Sequence, residues 1–472
     1  MHQEGEIGMK SMIRKMGRQA VSVVNFEGMN RVLPPAKLRE AKGEIVPGME
    51  NVWYEYVPAC YRQDKPLPLV VQLHGGGNDG RRWADYTVWH ELAERKGLII
   101  VYPNSPDYEC WTCQERDIQY LYDLIQLLRQ KYAIDESRIY MQGMSNGDQM
   151  TLAFTMAHPE ILAAAGYATG PSDEEVLDGD LPVGPLPIIQ MRGEKDINWK
   201  LTPETEDIYE NRYHMNDLNR EIWLDANGVG DALPSLTIQG KDNFLYYPGK
   251  SAPIINWEIA SMGHREPVYG AQVFWDRLYS GCRREAGTIR ADLPVKPLSG
   301  DEDTVLLAMG SHLVFKKNQM LPIGRPGTGA ARMFVPAALP HFCPVNTGEM
   351  CETEVLCAPA EFFAVVYGAE IQYENAGESC VLSFPEGRRV VLYSNAVLFE
   401  DQGEFRALQK PCALLCGTFF VPVGELCQML FGSFVSTADD VMCVSSHWAV
   451  LGQYTARVIR KLLGGEMRPR KK

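Results

Sequence analysis

Residues 139–147 of this 472-residue chain are IYMQGMSNG, and this stretch decides the fold. An apolar, strand-like run leads into Gly-Met-Ser-Asn-Gly, and a helix-like run over 150–157 follows at once. In this strand–turn–helix context, G-x-S-x-G forms a nucleophile elbow that lifts the hydroxyl of Ser145 above the sheet edge. Glycine is needed at 143 and 147 because a Cβ there would collide with neighbouring backbone. The pattern alone is common, so a serine in an ordinary loop is the alternative until partners are found.

Strands and helices alternate on both sides of this stretch. Apolar runs predict strands at 52–58, 67–73, 98–103, 186–193 and 253–260, and helical spacing predicts helices at 87–96, 117–132 and 269–279. This alternation predicts an α/β fold with a mainly parallel, doubly wound sheet. Ligands bind such sheets at the carboxyl ends of the strands.

The length of the chain indicates more than one domain. We predict an N-terminal extension over 1–45, the α/β domain over 46–285, a Gly/Pro-rich linker over 286–304 and a smaller α+β domain over 305–464, before a basic tail at 465–472. A segment at 359–368 matches one at 422–432 with one residue inserted, which predicts an internal repeat in the smaller domain.

Charge and composition exclude several classes of partner. The net charge of -14 argues against a nucleic-acid surface, and no run of 18 apolar residues is present to span a membrane. The first 45 residues lack the apolar core of a signal peptide, so we expect a cytoplasmic protein, or a secreted one if a leader was removed. We expect the 12 cysteines to be reduced thiols, several of them within core strands.

Acyl transfer by a serine needs a base, a carboxylate that orients the base, and backbone donors for the oxyanion. His264 follows the strand predicted at 253–260, and Asp196 follows the one at 186–193, in the order expected after Ser145. His214 is the rival base, and Glu194, Asp217 and Asp225 are rival acids. The oxyanion donors would be the N–H of Asn146 and one N–H from Gly75 to Gly77, which follow His74 at the end of another strand.

Five motifs together resemble the polyhydroxybutyrate depolymerase and feruloyl esterase group of α/β-hydrolases, over about residues 50–285. The matching segments are LHGGG at 73–77, DIQYL at 117–121, YAID at 132–135, GMSNG at 143–147 and GH at 263–264. The resemblance implies hydrolysis of carboxylic esters through an acyl-enzyme, without a metal or organic cofactor. It supports Ser145 as nucleophile, Asp196 as acid, His264 as base, and Gly76 and Asn146 as oxyanion donors.

The resemblance also bears on the substrate pocket. Trp111 lies in a Cys-Trp segment similar to the family's and is predicted to be a pocket wall, and the remaining pocket candidates are His74, Gly75, Gly77 and Trp199. The C-x-x-C spacing of Cys110 and Cys113 does not predict zinc, because no second Cys/His pair is nearby. The chain departs from the family's pattern at Asp148, Arg192 and Glu266, and we expect these departures to affect substrate class.

The repeat in the last third resembles the small domain named after the N-terminal regions of copper amine oxidases, common in bacterial secreted proteins. The name does not imply copper, and no clustered ligand set predicts a metal there. The resemblance leaves open a contact with carbohydrate or the cell surface through this domain.

The sequence therefore predicts a serine esterase that acts on a small-molecule or polymeric ester, of the feruloyl, acetyl or polyester type. Two alternatives remain: a carbohydrate- or surface-binding protein with an inactive hydrolase core, and a serine peptidase on the same fold.

Overall fold

The computed structural model describes residues 38–87, 89–170, 184–196, 208–250, 252–292, 302–324, 328–336 and 352–464. These residues form two compact units. The first comprises the chain up to residue 232 together with 247–256 and 262–297, and the second comprises 233–246, 257–261 and the residues from 298 onward.

The first unit is built on a central sheet. Its strands are β1 (Leu38–Gly43), β2 (Asn51–Tyr56), β3 (Leu67–Leu73), β4 (Ile99–Pro103), β5 (Ile134–Met144), β6 (Ala164–Ala168), β7 (Ile188–Gly193) and β10 (Ile254–Ile259, in this unit as far as residue 256), and a separate hairpin is formed by β11 (Cys282–Glu285) and β12 (Thr288–Ala291). The order in the sheet is β1-β2-β4-β3-β5-β6-β7-β10. The pairs from β4 to β7 are parallel, whereas β1-β2 and β2-β4 are antiparallel.

Helices cover this sheet and follow its strands. They are α1 (Gly80–Tyr86), α2 (Trp89–Lys96), α3 (Glu115–Lys131), α4 (Asn146–Ala157), α5 (Ile208–Ala226) and α6 (Gly270–Arg277). The helical spacing in α3 is explained by its buried face, which includes Leu121, Leu124 and Leu128. Every residue of β3, β4, β6 and β7 is buried, as expected for strands covered on both faces.

The alternation of strands and helices agrees with the sequence-based prediction, and the differences lie where local signals are short. β1 pairs with β2 although it lies in the stretch assigned to the extension 1–45. The helix α1 was not predicted; the Asp79 carboxylate caps it by accepting from the N–H of Arg82 at 2.8 Å. The strand β12 lies inside the stretch assigned to the linker 286–304.

The second unit is mostly β-structure. Its strands are β8 (Ser235–Gln239), β9 (Asp242–Tyr247, as far as residue 246), β13 (Val305–Ala308), β14 (Leu313–Lys316), β15 (Gln319–Pro322), β16 (Ala331–Pro336), β17 (Glu352–Pro359), β18 (Glu370–Glu374), β19 (Ser379–Ser383), β20 (Arg389–Tyr393), β21 (Leu398–Asp401), β22 (Glu404–Ala407), β23 (Ala413–Leu415), β24 (Thr418–Val421), β25 (Phe434–Ala438) and β26 (Val441–Ser445). Three sheets have the orders β15-β14-β13-β26-β25, β16-β17-β24-β23 and β18-β19-β20-β21-β22. Its helices are α7 (Glu361–Tyr367), α8 (Val423–Phe431) and α9 (Gln453–Leu463).

The two matched segments of the last third have the same order of elements. In each, a strand is followed by a short helix and then by a hairpin: β17-α7-β18-β19 in one and β24-α8-β25-β26 in the other. Each helix ends at a glycine in the left-handed region, Gly368 with φ 71° and Gly432 with φ 66°. Phe363 of α7 and Leu426 of α8 belong to one hydrophobic core.

Eight cysteines of the described ranges are free thiols: Cys60, Cys110, Cys282, Cys357, Cys380, Cys412, Cys416 and Cys427. None of the helices in the described ranges has an apolar stretch long enough to cross a bilayer.

Candidate active site

Ser145 lies on a strained turn between β5 and α4. Its φ of 58° and ψ of −120° are unfavourable for a residue with a side chain. Its N–H donates to the carbonyl oxygen of Ala168 at 2.8 Å, which ties the turn to the end of β6. A Cβ on Gly143 would lie 1.9 Å from the carbonyl oxygen of Gly147, and one on Gly147 would lie 2.5 Å from that of Leu73. Both glycines are therefore required, for the steric reason inferred from the sequence.

The structure brings Ser145, His264 and Asp196 together. The Nε2 atom of His264 lies 2.9 Å from Oγ of Ser145, and its Nδ1 atom lies 2.9 Å and 3.0 Å from the two carboxylate oxygens of Asp196. Asp196 is buried, whereas the side chain of His264 is 22% exposed. A carboxylate can only accept, so Nδ1 carries the hydrogen and Nε2 is left to accept the serine hydroxyl. This is the arrangement that makes a serine nucleophilic.

The loops that carry the acid and the base are joined to each other. The N–H of Lys195 donates to the carbonyl oxygen of Met262 at 2.7 Å. A Cβ on Gly193 would lie 2.4 Å from the carbonyl oxygen of Gly263, so the close approach of the two loops requires glycine at 193. The distance between Asp196 and His264 is thus fixed by contacts between the backbones of the two loops as well as by the hydrogen bond between the two side chains.

The rival acids lie in other environments. Asp217 forms an ion pair with Arg220 at 3.0 Å, Asp225 is exposed, and Glu194 is half-buried. Asp196 is the carboxylate that contacts the imidazole.

Two other candidates cannot be placed, because the side chain of His214 and all of Trp199 lie outside the described residues. Within the described ranges, no group of three or more His, Cys, Asp or Glu side chains is arranged to hold a metal ion.

The glycine loop after β3 lies beside the nucleophile. Gly75 is buried, and a Cβ on it would lie 3.3 Å from that of Ser145. Gly76 is exposed, and a Cβ on it would lie 3.7 Å from that of Asn146, so the two predicted oxyanion donors are neighbours. The N–H of Gly77 donates to the carbonyl oxygen of Glu109 at 2.6 Å and is not free for an oxyanion. The choice among the three glycines therefore narrows to Gly75 and Gly76.

His74 and Trp111 were predicted to line the substrate pocket, and the structure corrects this. His74 is fully buried: its Nδ1 bonds to the carbonyl oxygen of Gly75 at 2.8 Å, and its Nε2 accepts from the N–H of Ser105 at 3.1 Å. Burial lowers the pKa of His74, so the ring is neutral with its hydrogen on Nδ1. Trp111 is 3% exposed, and its indole N–H donates to the carbonyl oxygen of His74 at 3.0 Å. Both side chains lie behind the glycine loop and hold it from within.

Asn146 anchors Trp111 in turn. Its side-chain oxygen accepts from the N–H of Trp111 at 2.7 Å, and its amide group donates to the carbonyl oxygen of the same residue at 3.0 Å. The residue after the nucleophile thus fixes the segment that supports the glycine loop.

A buried ion pair lies next to the elbow, between Asp148 on the first turn of α4 and Arg192 near the end of β7. The distance from Nη1 to Oδ2 is 3.2 Å. Both residues were noted in the sequence as departures, but no local signal indicated that they meet, because 44 positions separate them.

Glu266 is the third departure. One carboxylate oxygen accepts from the amide of Gln142 at 2.7 Å, and the oxygen of that amide accepts from the indole N–H of Trp89 at 2.8 Å. A Cβ on Gly270 would lie 2.5 Å from the other carboxylate oxygen of Glu266, so this oxygen lies close to the backbone of Gly270. Desolvation raises the pKa of Glu266 to about 8, so the group carries a proton at neutral pH.

A mainly parallel sheet that carries a strained serine after β5, an acid after β7 and a histidine after β10 defines the α/β-hydrolase fold. Comparison with known proteins agrees with this class. Residues 53–177 match the family described as esterase PHB depolymerase. This match includes the elbow and the glycine loop and ends before Asp196 and His264.

Curated relatives share the same part of the chain. The chain is 27% identical over 151 residues to a bifunctional acetylxylan esterase/xylanase of Neocallimastix patriciarum, covering 31% of this chain and 22% of that protein. It is 28% identical over 127 residues to feruloyl esterase B of Thermothelomyces thermophilus, covering 25% of this chain and 43% of that protein. The matches therefore span less than half of the length of these relatives. Among solved structures, an acetyl xylan esterase from Aspergillus awamori is 18% identical with a TM-score of 0.40, covering 50% of this chain and 97% of that one.

Proposed function

We propose that the first unit is a serine hydrolase of carboxylic esters and that Ser145, His264 and Asp196 form its catalytic triad. The observation that carries the proposal is the hydrogen-bonded line from Ser145 Oγ to His264 Nε2 and from His264 Nδ1 to Asp196, at 2.9 to 3.0 Å, on a strained turn. A serine in an ordinary loop would need neither this strain nor these partners. The similarity to acetylxylan and feruloyl esterases supports an ester as the substrate.

In the acylation step, Ser145 Oγ attacks the ester carbonyl carbon while its proton moves to His264 Nε2. The negative charge on the carbonyl oxygen is held by the backbone N–H groups of Gly76 and Asn146. The tetrahedral intermediate then collapses, the C–O bond to the alcohol breaks, and the alcohol leaves with the proton from His264. In the deacylation step, water attacks the acyl-enzyme in the same way and releases the carboxylic acid product. Asp196 stabilises the imidazolium in both steps.

The arrangement of the glycine loop supports Gly76 as the second donor. In a trans peptide the carbonyl and the following N–H point in opposite directions. The Nδ1–H of His74 holds the carbonyl of Gly75 inward, so the N–H of Gly76 is directed away from the protein interior. Gly76 is the exposed glycine that lies next to Asn146.

The substrate we propose is an acetyl, feruloyl or polyester-type ester, because two relatives are named acetylxylan esterase and feruloyl esterase and the matching family is described as esterase PHB depolymerase. A serine peptidase on the same triad is the alternative. Initial rates on feruloyl, acetyl and aliphatic esters, compared with a panel of peptides, discriminate between them. Cleavage of peptides at rates above those of the esters would reject the esterase.

The triad is tested with Ser145→Ala and a matched control, Ser137→Ala. Ser137 lies on the same strand, and its hydroxyl bonds to Asp135 at 2.6 Å, far along β5 from the elbow. We expect Ser145→Ala to abolish both hydrolysis of p-nitrophenyl acetate and labelling by a fluorophosphonate probe, while Ser137→Ala keeps both. Full activity in Ser145→Ala would reject the triad, and a wild-type chain that neither hydrolyses nor labels would indicate an inactive core.

We further propose that the second unit is a repeat module similar to the copper amine oxidase N-terminal type and contacts carbohydrate. Support comes from the order of elements shared by its two matched segments and from its exposed aromatic side chains, with Phe405 67% and Trp448 57% exposed. Sedimentation of the full chain with insoluble xylan is the test. We expect Phe405→Ala or Trp448→Ala to reduce the bound fraction, and no binding by the wild-type chain would reject the proposal.

A further inference from the structure

The buried ion pair of Asp148 and Arg192 connects three segments next to the site. Asp148 lies three residues after Ser145 in α4, and its Oδ2 accepts from the N–H of Gly170 at 2.8 Å. Gly170 is pressed against the nucleophile, since a Cβ on it would lie 2.0 Å from the carbonyl oxygen of Ser145. Arg192 lies four residues before Asp196. The pair therefore joins the elbow, the turn after β6 and the strand that leads to the acid.

Arg192 is held in place from several directions. Its Nη1 donates to the carbonyl oxygen of Met191 at 2.7 Å, and its Nε donates to the side-chain oxygen of Asn216 at 3.2 Å. The side chains of Arg192 and Asp148 are 9% and 2% exposed. A buried charge pair of this kind is costly to desolvate and contributes little net stability, so its presence needs another explanation.

The electrostatics of the pair involve the base. The charged or titratable groups that interact with Asp148 are Arg192, His264 and Tyr167. Burial raises the pKa of Asp148 to about 7, against the lowering effects of Arg192, of the Gly170 N–H and of His264. Because charge interactions are reciprocal, an ionised Asp148 stabilises the imidazolium that His264 forms during catalysis, and Arg192 opposes it.

We propose that Asp148 and Arg192 are a positioning pair for the hydrolytic reaction: Asp148 holds the Gly170 turn against Ser145 and balances, beside His264, the charge of Arg192. The inference rests on the proposed esterase function. It is independent of which ester is cleaved, since neither side chain is exposed to substrate.

The test compares Asp148→Asn, Arg192→Gln and the double variant in p-nitrophenyl acetate hydrolysis from pH 5 to 10. Asp148→Asn leaves a cation without its partner near His264. We expect kcat to fall at least about tenfold and the acidic limb of kcat/KM to move to lower pH by less than one unit, because Asp148, with a pKa of about 7, is only partly ionised there. The double variant removes the cation as well, so its limb returns toward that of the wild-type protein. The inference is overturned if the single and double variants lose the same factor in kcat and the acidic limb of kcat/KM stays at the wild-type pH in all of them. That result would indicate a merely structural role for the pair.

A second comparison serves if Asp148→Asn does not fold, as judged by circular dichroism. Arg192→Lys keeps the cation and is expected to keep the wild-type pH profile. In Arg192→Gln, Asp148 loses its stabilising cation and takes up a proton, so kcat should rise as this carboxyl ionises above about pH 8. Identical profiles in these two variants would overturn the inference. If the wild-type chain hydrolyses no ester and takes no fluorophosphonate label, the proposed function fails first, which is a distinguishable result.

Discussion

Replacing Glu266 with glutamine tests the energetic cost of a desolvated carboxyl group two residues after His264. The pKa of this carboxyl rises from an ordinary value of 4.5 to about 8 in the folded chain. Between these values the folded chain keeps a proton that the unfolded chain releases, so the free energy of unfolding falls as pH rises. The stabilisation is complete below about pH 4.5 and is lost progressively up to about pH 8.

The size of the effect follows from the same two values. One pKa unit corresponds to about 1.4 kcal/mol, so the full loss is about 5 kcal/mol, of which about 3 kcal/mol has accumulated at pH 7. Glu266 is only half-buried, and water near the carboxyl reduces these figures. We therefore expect Glu266→Gln to match the wild-type protein near pH 4.5 and to be more stable by about 1 to 2 kcal/mol at pH 7 and about 2 to 3 kcal/mol at pH 9.

The assay is urea unfolding at pH 5, 7 and 9. Unfolding is monitored by amide hydrogen exchange in peptides that cover β5, because this strand reports on the first unit alone. Glutamine keeps the shape of the side chain, and its oxygen still accepts from the amide of Gln142, so the hydrogen bond at 2.7 Å is retained. Glu136→Gln, at an exposed position of β5, is the matched control. Its free energy of unfolding, relative to that of the wild-type protein, should not change with pH. A stability difference for Glu266→Gln that is the same at all three pH values would refute the reasoning.

Three further substitutions test the site. Asp196→Asn leaves the imidazole without its carboxylate, and we expect kcat for p-nitrophenyl acetate to fall by about 10⁴-fold with the fold intact by circular dichroism; a loss below tenfold would contradict its role. Trp111→Phe removes the donor to the buried carbonyl of His74, so kcat/KM should fall about tenfold and the thermal midpoint should fall by a few degrees; unchanged kcat/KM would show that the loop does not need this bond. Gly143→Ala places a Cβ 1.9 Å from a backbone oxygen and should cost about 3 kcal/mol or more in urea unfolding; wild-type stability would contradict the steric argument.

Features with a strong local signal were predictable from the sequence. The elbow combines an apolar strand, two sterically required glycines and a helix within about 20 residues. Asp196 and His264 could be proposed because each follows an apolar strand of a parallel sheet, and such strands end at one edge. Because the strands that lead to Ser145, Asp196 and His264 end at the same edge of the sheet, the three side chains come within hydrogen-bonding distance there.

Features that depend on tertiary burial were not predictable. His74 directly precedes the glycine loop, and Trp111 lies in a segment that resembles the family's. The sequence does not show on which side of the glycine loop these rings pack, and that side decides whether a ring lines a pocket or supports the loop. The structure shows both within 3% of full burial. The short helix α1 was missed because its seven residues carry no apolar periodicity, and it forms where the Asp79 cap satisfies a backbone N–H.

The three departures from the family's pattern lead to one physical conclusion. Asp148 and Arg192 are buried, and the carboxyl group of Glu266 accepts a hydrogen bond from the amide of Gln142. The side chains of Asp148 and Arg192 are therefore not exposed for contact with a substrate, although we had expected these departures to affect substrate class. Two of them have a pKa raised toward neutrality or above, to about 7 for Asp148 and about 8 for Glu266, and Asp148 lies close enough to His264 for their charges to interact. The effect of Asp148 should consequently be found in the pH dependence of activity, and that of Glu266 in the pH dependence of stability.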